Sequence, residues 1–116
     1  MFNNIWRRSK LSLERVIKAL ERLGLTRIEA EVYVFTAKNG SQTILELCET
    51  LNYSKRQVNA TLKTLIEEAL ITKKGNNYHA IPFEKALELL IEREKQEAQF
   101  VQERKEELLA NWSKEK

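Results

Sequence analysis

Lys55, Arg56, Gln57, Asn59 and Lys63 lie within one short stretch directly after Ser54, with no carboxylate among them. Guanidinium and ammonium groups suit guanine edges and phosphate oxygens, and carboxamides suit adenine edges. The chemistry open to this set is to hold and read a nucleic-acid duplex, provided that one surface presents it. A helix would do so. Val58, Leu62, Leu65 and Ala69 recur at helical spacing, with Ile66 beside them, and form an apolar stripe that turns inward. Lys55, Arg56, Gln57, Asn59, Ala60, Lys63 and Thr64 are left outside. Ser54 and Gln57 form a capping box, each side chain accepting from the other's backbone N–H, so the helix starts at Lys55.

The elements that must position this helix can be read on both sides of it. Upstream, Thr43 and Glu46 form a second capping box, and Leu47, Cys48 and Leu51 supply the buried side of a short helix ending near Leu51. Only Asn52 and Tyr53 separate it from Ser54. Two helices joined by so short a turn, the second basic and amide-rich at its start, fit a helix-turn-helix whose second helix enters the major groove. The plainer alternative is a helical hairpin whose outer face is merely solvated. Downstream of Leu70 the periodicity changes. Ile71–Lys74, a Gly75-Asn76 turn and Asn77–Ile81 read as a small β-hairpin, a wing with Lys73, Lys74, Asn76 and Asn77 about its tip. Those residues are suited to phosphates or a minor groove; otherwise the lysines only blunt an exposed strand edge.

The remaining chain frames these parts. Residues 1–12 form an N-terminal arm in which Phe2, Ile5 and Trp6 precede Arg7, Arg8 and Lys10. Leu13, Val16, Ile17, Leu20 and Leu23 keep the i, i+3, i+4 rhythm of a helix that Gly24 and Leu25 end in a Schellman motif. Thr26 and Glu29 open a third helix by a third capping box. Its apolar residues (Ile28, Ala30, Val32, Tyr33, Val34, Phe35, Ala37) face nearly every side, which places it at the centre of the core. After Pro82, residues Phe83 to about Trp112 contain no Gly or Pro and are rich in good helix formers. A continuous helix of that length spans about 45 Å, more than a small core needs. A seam close to the 3.5-residue repeat of a coiled coil runs Leu87, Ile91, Glu94, Ala98, Val101, Lys105, Leu108, Trp112. It marks Leu87, Ile91, Ala98, Val101, Leu108 and Trp112 as dimerisation residues. Its early part can instead fold back on its own domain.

The net charge of the 116-residue chain is +3, but residues 1–80 hold 13 Lys+Arg against 8 Glu and residues 81–116 hold 7 against 9. The surplus lies in the part that contains the helix-turn-helix, as a polyanionic partner would favour. One cysteine, Cys48, excludes an internal disulfide and reads as core. One histidine, His79, has no partners at metal spacing and reads as a core-edge or solvent-facing residue. Asp is absent, and no Gly-rich phosphate loop or nucleophile–base set occurs, so neither an enzyme nor a cofactor is expected. No apolar run suits a membrane span or a signal peptide, which points to the cytoplasm.

In their order and spacing, Leu23-Gly24-Leu25-Thr26, Glu29-Ala30 before Tyr33, Ser54-Lys55-Arg56-Gln57-Val58, and Pro82 with Ala86-Leu87 resemble the N-terminal part of the TrmB family of archaeal transcription regulators, over most of residues 13–97. The resemblance implies a winged helix-turn-helix dimer that binds operator DNA. Family members often continue into a sugar-binding effector domain. None is expected here, because the sequence stops at Lys116, so no small-molecule effector is expected. Asn59 stands where a bulkier residue is expected in such a helix, which leaves the operator sequence open.

The expected architecture is thus mainly α with a small β-hairpin: an arm (1–12), a winged helix-turn-helix domain (13–82) and a long C-terminal dimerisation helix (83–116). The expected function is a sequence-specific, homodimeric regulator of transcription on double-stranded DNA. Ser54, Lys55, Arg56, Gln57, Asn59 and Lys63, with Lys73, Lys74 and Asn76 of the wing, are its DNA-binding residues. Two alternatives stand beside it: an architectural protein that coats DNA without sequence preference, and a winged-helix adaptor that binds protein instead.

Overall fold

The structure, a computed structural model, describes residues 13–114; the N-terminal arm lies outside them. In chain order the elements are α1 (residues 13–22), α2 (Arg27–Asn39), α3 (Ile44–Leu51), α4 (Lys55–Glu67), β1 (Ile71–Lys74), β2 (Asn77–Ala80), α5 (Phe83–Glu103) and α6 (Lys105–Lys114). A helix-turn-helix followed by a two-stranded hairpin makes this a winged helix.

Local chemistry sets the boundaries. Thr26, Thr43 and Ser54 each cap a helix, and in each case the residue three positions on, Glu29, Glu46 or Gln57, completes the reciprocal box. Each box satisfies two of the N–H groups that a helix start leaves without partners. At the end of α1 the Leu25 N–H bonds to the Leu20 carbonyl and the Gly24 N–H to that of Glu21, with Gly24 at φ +109, which is the expected Schellman pattern. Helix α4 ends by the same device without glycine. Leu70 N–H donates to Leu65 O, Ala69 N–H to Ile66 O, and Ala69 takes φ +65. Ala69 therefore leaves the helix and is exposed, not part of the inward stripe, and Ile66 is also exposed.

Helix α2 is the centre of the core: Ala30, Val32, Tyr33, Val34, Phe35 and Thr36 are all buried. Around it pack Ile17 and Leu20 of α1, Leu47 of α3, Val58, Leu62 and Leu65 of α4, and Leu70, Ile71 and Tyr78 from the hairpin. Each large apolar side chain so enclosed contributes about 1.5–3 kcal/mol. Cys48 is only half-buried, at the flank of α3. The hairpin pairs Ile71 with Ala80 and Lys74 with Asn77, and Gly75 at φ +61 gives the first central position of its two-residue turn the conformation it needs. An isolated β-bridge, not evident from the sequence, joins the segment before α3 to the hairpin: Gln42 and Tyr78 exchange both backbone hydrogen bonds, at 3.0 and 2.8 Å. The Tyr33 hydroxyl donates to Ile81 O at 2.6 Å and ties the base of the wing to α2; burial pushes its pKa up to about 12.

The C-terminal region takes the fold-back alternative in its first turns and departs from expectation in its continuity. Ala86 and Leu90 of α5 are buried in the winged-helix core, Leu87 packs against it, and Arg93 donates to the Glu68 carbonyl at 2.6 Å. The core thus runs into the first turns of α5. The expected single helix is also broken at Arg104. Its backbone N–H turns to the carbonyls of Val101 and Gln102, while its guanidinium lies 3.6 Å from the Phe100 ring and donates to Phe100 O. The side chain has replaced the backbone donor at that carbonyl, which interrupts the i→i−4 ladder. The ladder resumes when Leu108 N–H bonds to Arg104 O at 2.9 Å. The seam residues Ile91, Ala98, Val101, Leu108 and Trp112 are all exposed.

Candidate nucleic-acid interface

The first turn of α4 fixes which polar groups are free to meet a ligand. Ser54 Oγ accepts from the Gln57 N–H at 3.1 Å, and Gln57 Oε1 accepts from the Ser54 N–H at 3.0 Å. Both are therefore committed to the cap. The box occupies one lone pair of Gln57 Oε1 and holds the amide against the backbone, so the two-point bond to adenine expected of a glutamine, which needs a donor and an acceptor together, competes with the cap. Asn59 is exposed and keeps both. Lys55, Arg56 and Lys63 are exposed as well.

Between α4 and the hairpin runs a groove of about 530 Å³, lined on the helix side by Arg56, Asn59, Lys63 and Ile66 and on the hairpin side by Lys73 and Tyr78. Strand register explains the choice of lysine. Lys73 lies opposite Tyr78 on one face of the hairpin, with its ammonium 5.7 Å from the ring centroid, whereas Lys74 is one residue on and points to the other face. The structure thus brings together Arg56, Asn59, Lys63 and Lys73. It leaves Ser54, Lys55 and Gln57 at the start of the helix, Asn76 at the turn and Lys74 on the opposite side. The outer face is not free of carboxylates along its whole length: Glu67 closes one end of the groove. Ala60, Ile66 and Tyr78 are groove residues that a search for charge and hydrogen-bonding capacity passes over.

A network behind the turn holds α4 at its start. The Arg27 guanidinium makes a two-point pair with Glu14 of α1, at 2.5 and 2.7 Å, and its Nε donates to Glu31 at 2.9 Å. The other oxygen of Glu31 accepts from the Tyr53 hydroxyl at 2.5 Å. Tyr53 immediately precedes the cap of α4, so α1, α2 and the turn are joined by one chain of charge-assisted bonds. Its pH signature follows from this environment. The Glu14 and Glu31 carboxylates raise the Arg27 pKa, and burial, helped by Glu31, pushes the Tyr53 hydroxyl up to about 12. Arg27 and Glu31 are four residues apart on α2, but Glu14 lies 13 residues from Arg27 and Tyr53 lies 22 from Glu31, and only the aromatic in an otherwise polar turn hints at these in the sequence. His79 is half-buried beside an apolar cleft that includes Leu13, Val34, Ala37 and Phe83. Among the described residues no group of three or more His, Cys, Asp or Glu is placed to hold a metal ion, and no helix is long and apolar enough to cross a membrane.

The family model of the sugar-specific transcriptional regulator TrmB matches residues 20–84, from the last turns of α1 to the start of α5. Among solved structures, that of TrmBL2, an archaeal chromatin protein with a novel mode of DNA binding, is similar, with a TM-score of 0.66 and 26% sequence identity. The similarity covers 88% of this chain and 42% of that one, so the chain spans less than half the length of that protein. No curated protein matches.

Proposed function

The chain belongs to the TrmB family, and from that premise we propose that it is a dimeric, DNA-binding regulator of transcription that acts in the cytoplasm. The observation that carries the reading is the groove in which Arg56, Asn59 and Lys63 of α4 face Lys73 of the wing. With α4 in the major groove, Arg56 and Asn59 read base edges, and Lys63 and Lys73 take the phosphates of the strand that passes between helix and wing. Lys55, Lys74 and Asn76 meet the backbone on either side, and Gln57 donates from its amide.

The dimer rests on exposed apolar surface. Phe100, Val101, Leu108 and Leu109 are each about half exposed and Trp112 is 78% exposed, all on the part of α5 and α6 beyond the core. So many exposed apolar side chains on one segment mark an interaction site, and a second copy supplies a matching one. Paired α4 helices then address half-sites roughly 34 Å apart.

A second reading, that the protein coats DNA without sequence preference, is favoured by the likeness to a chromatin protein. One experiment separates the two. Fluorescence anisotropy on the protein's own upstream region and on a scrambled duplex, at two salt concentrations, gives tighter binding to the former if the protein is a regulator. Arg56→Ala then costs about 1–3 kcal/mol on the specific duplex and little on the scrambled one, whereas Lys73→Ala weakens both and lowers the salt slope by about 0.9. Equal affinity for both duplexes establishes the coating mode. No binding to either at low salt refutes both readings and leaves the protein adaptor.

A further inference from the structure

The helix-turn-helix and the wing hold little of the basic surplus. Residues 1–22 hold six Lys+Arg against two Glu, net +4, whereas residues 23–80, with the whole helix-turn-helix and the wing, hold seven against six, net +1. Helix α1 sorts its charges by face. Leu13, Ile17 and Leu20 form its buried stripe. Along one edge of that stripe stand Glu14 and Glu21, and both reach Arg27 of α2, at 2.5 and 3.6 Å. Arg15, Lys18 and Arg22 occupy a separate face, within an arc of about 60° and over roughly 10 Å of helix. All three are exposed, and the ion pairs found among the described residues all involve Arg27 instead. The two carboxylates that could neutralise α1 are thus turned toward α2, and among the described residues the cations of the helix have no ion-pair partner.

We propose that α1 is a second duplex-binding surface, on which Arg15, Lys18 and Arg22 contact the sugar–phosphate backbone outside the segment held by α4 and the wing. A duplex carries one charge per roughly 1.7 Å of axis, so three cations over such a length can each meet a separate phosphate. Contacts to the sugar–phosphate backbone carry no sequence information, so the contribution of this surface is the same on every sequence. The inference rests on the reading of the chain as a DNA-binding protein.

The test is the triple variant Arg15→Gln, Lys18→Gln, Arg22→Gln, with Lys85→Gln, Lys95→Gln, Lys114→Gln as a control of equal charge change at exposed positions of α5 and α6. Glutamine retains helix propensity, and thermal melts by circular dichroism establish that both variants are folded. Affinity for the upstream and scrambled duplexes is measured from 50 to 200 mM salt. At about 0.9 per phosphate contact, the α1 variant loses about 2.7 from the slope of log K against log salt, equally on both duplexes. Its affinity then falls about 40-fold less over that range than that of the unmodified protein, while the control keeps the slope. An unchanged slope in the α1 variant overturns the proposal, and so does an equal fall in both variants, which assigns the effect to net charge. If the unmodified protein binds neither duplex, the DNA reading fails and this inference falls with it.

Discussion

Replacing Tyr53 by Phe removes one hydroxyl and tests whether the network behind the turn holds α4 in place. The lost bond is to an ionised acceptor, Glu31, at 2.5 Å, and bonds to charged groups contribute about 1.5–3 kcal/mol. Tyr53 is half-buried, and Glu31 retains its bond from Arg27, so the expected loss lies at the lower end, about 1.5 kcal/mol at pH 7. The sign of its pH dependence follows from the raised pKa. The folded-state value of about 12 exceeds the ordinary tyrosine value of 10.0, so the stabilisation is complete below pH 10 and is lost as pH rises from 10 toward 12. The loss approaches 1.36 kcal/mol per pH unit. Urea unfolding of both proteins at pH 7, 10 and 11 should show the difference shrinking to near zero by about pH 11. A double-mutant cycle with Glu31→Gln should return a coupling of about 1 kcal/mol. In the anisotropy assay Tyr53→Phe should weaken DNA binding without lowering the salt slope, since no phosphate contact is removed. A difference at pH 7 below about 0.3 kcal/mol, or one that stays constant through pH 11, refutes the reasoning.

Two further changes test the segment where α4 gives way to the wing. Ala69→Gly, at φ +65 in an exposed position, should stabilise the protein by about 0.5–1 kcal/mol, because glycine accepts the left-handed conformation without strain and loses only part of that gain to its freer unfolded chain; a lower urea midpoint at unchanged m-value would count against it. Glu68 has a buried Oε1 with no hydrogen-bond partner among the described residues, and burial, with repulsion from Glu29 and Glu67, raises its pKa. A raised carboxylate pKa means that the folded state resists the charge, so Glu68→Gln should stabilise at pH 7 and confer less advantage at pH 4, where the carboxyl is largely protonated in both states. Equal effects at the two pH values would show that charge is not the cause.

What the sequence revealed and what it hid divide along the range of the interactions. The three capping boxes, the Schellman ending at Gly24 and the hairpin turn at Gly75 are set by residues within five positions of one another, and all were legible. The interior of α2 was legible because apolar residues on nearly every side leave no other reading. Ala69 was misplaced because periodicity alone treats it as one more inward residue, whereas the C-terminal bonds to Leu65 and Ile66 carry it into the left-handed region. The break at Arg104 escaped notice for a similar reason: every residue there favours a helix, and only the stacking of one side chain on Phe100 displaces the backbone donor. The residue types about α4 and the wing were legible, but not which of them share a groove, since it is strand register that puts Lys73 on the α4 side and Lys74 on the other.

The committed atoms of the cap bear on whether this protein selects or merely coats its sites. Once Ser54 Oγ and Gln57 Oε1 are engaged, Arg56 and Asn59 are the α4 side chains left with full two-point capacity toward a base. At about 1–3 kcal/mol each, one copy can discriminate by about 2–6 kcal/mol, which reaches only the lower part of the roughly 4–10 kcal/mol typical of specific binding. Two copies on two half-sites double that to about 4–12 kcal/mol and cover the range. Selectivity should therefore depend on the dimer more than on any single contact. Val101→Glu with Leu108→Glu places charge on the exposed seam, away from both the core and the groove, and should give a monomer by light scattering. That monomer should bind the upstream and scrambled duplexes with nearly equal affinity. A monomeric variant that keeps full preference for one duplex would show that base reading is complete in a single copy, and a variant that stays dimeric would remove Val101 and Leu108 from the interface.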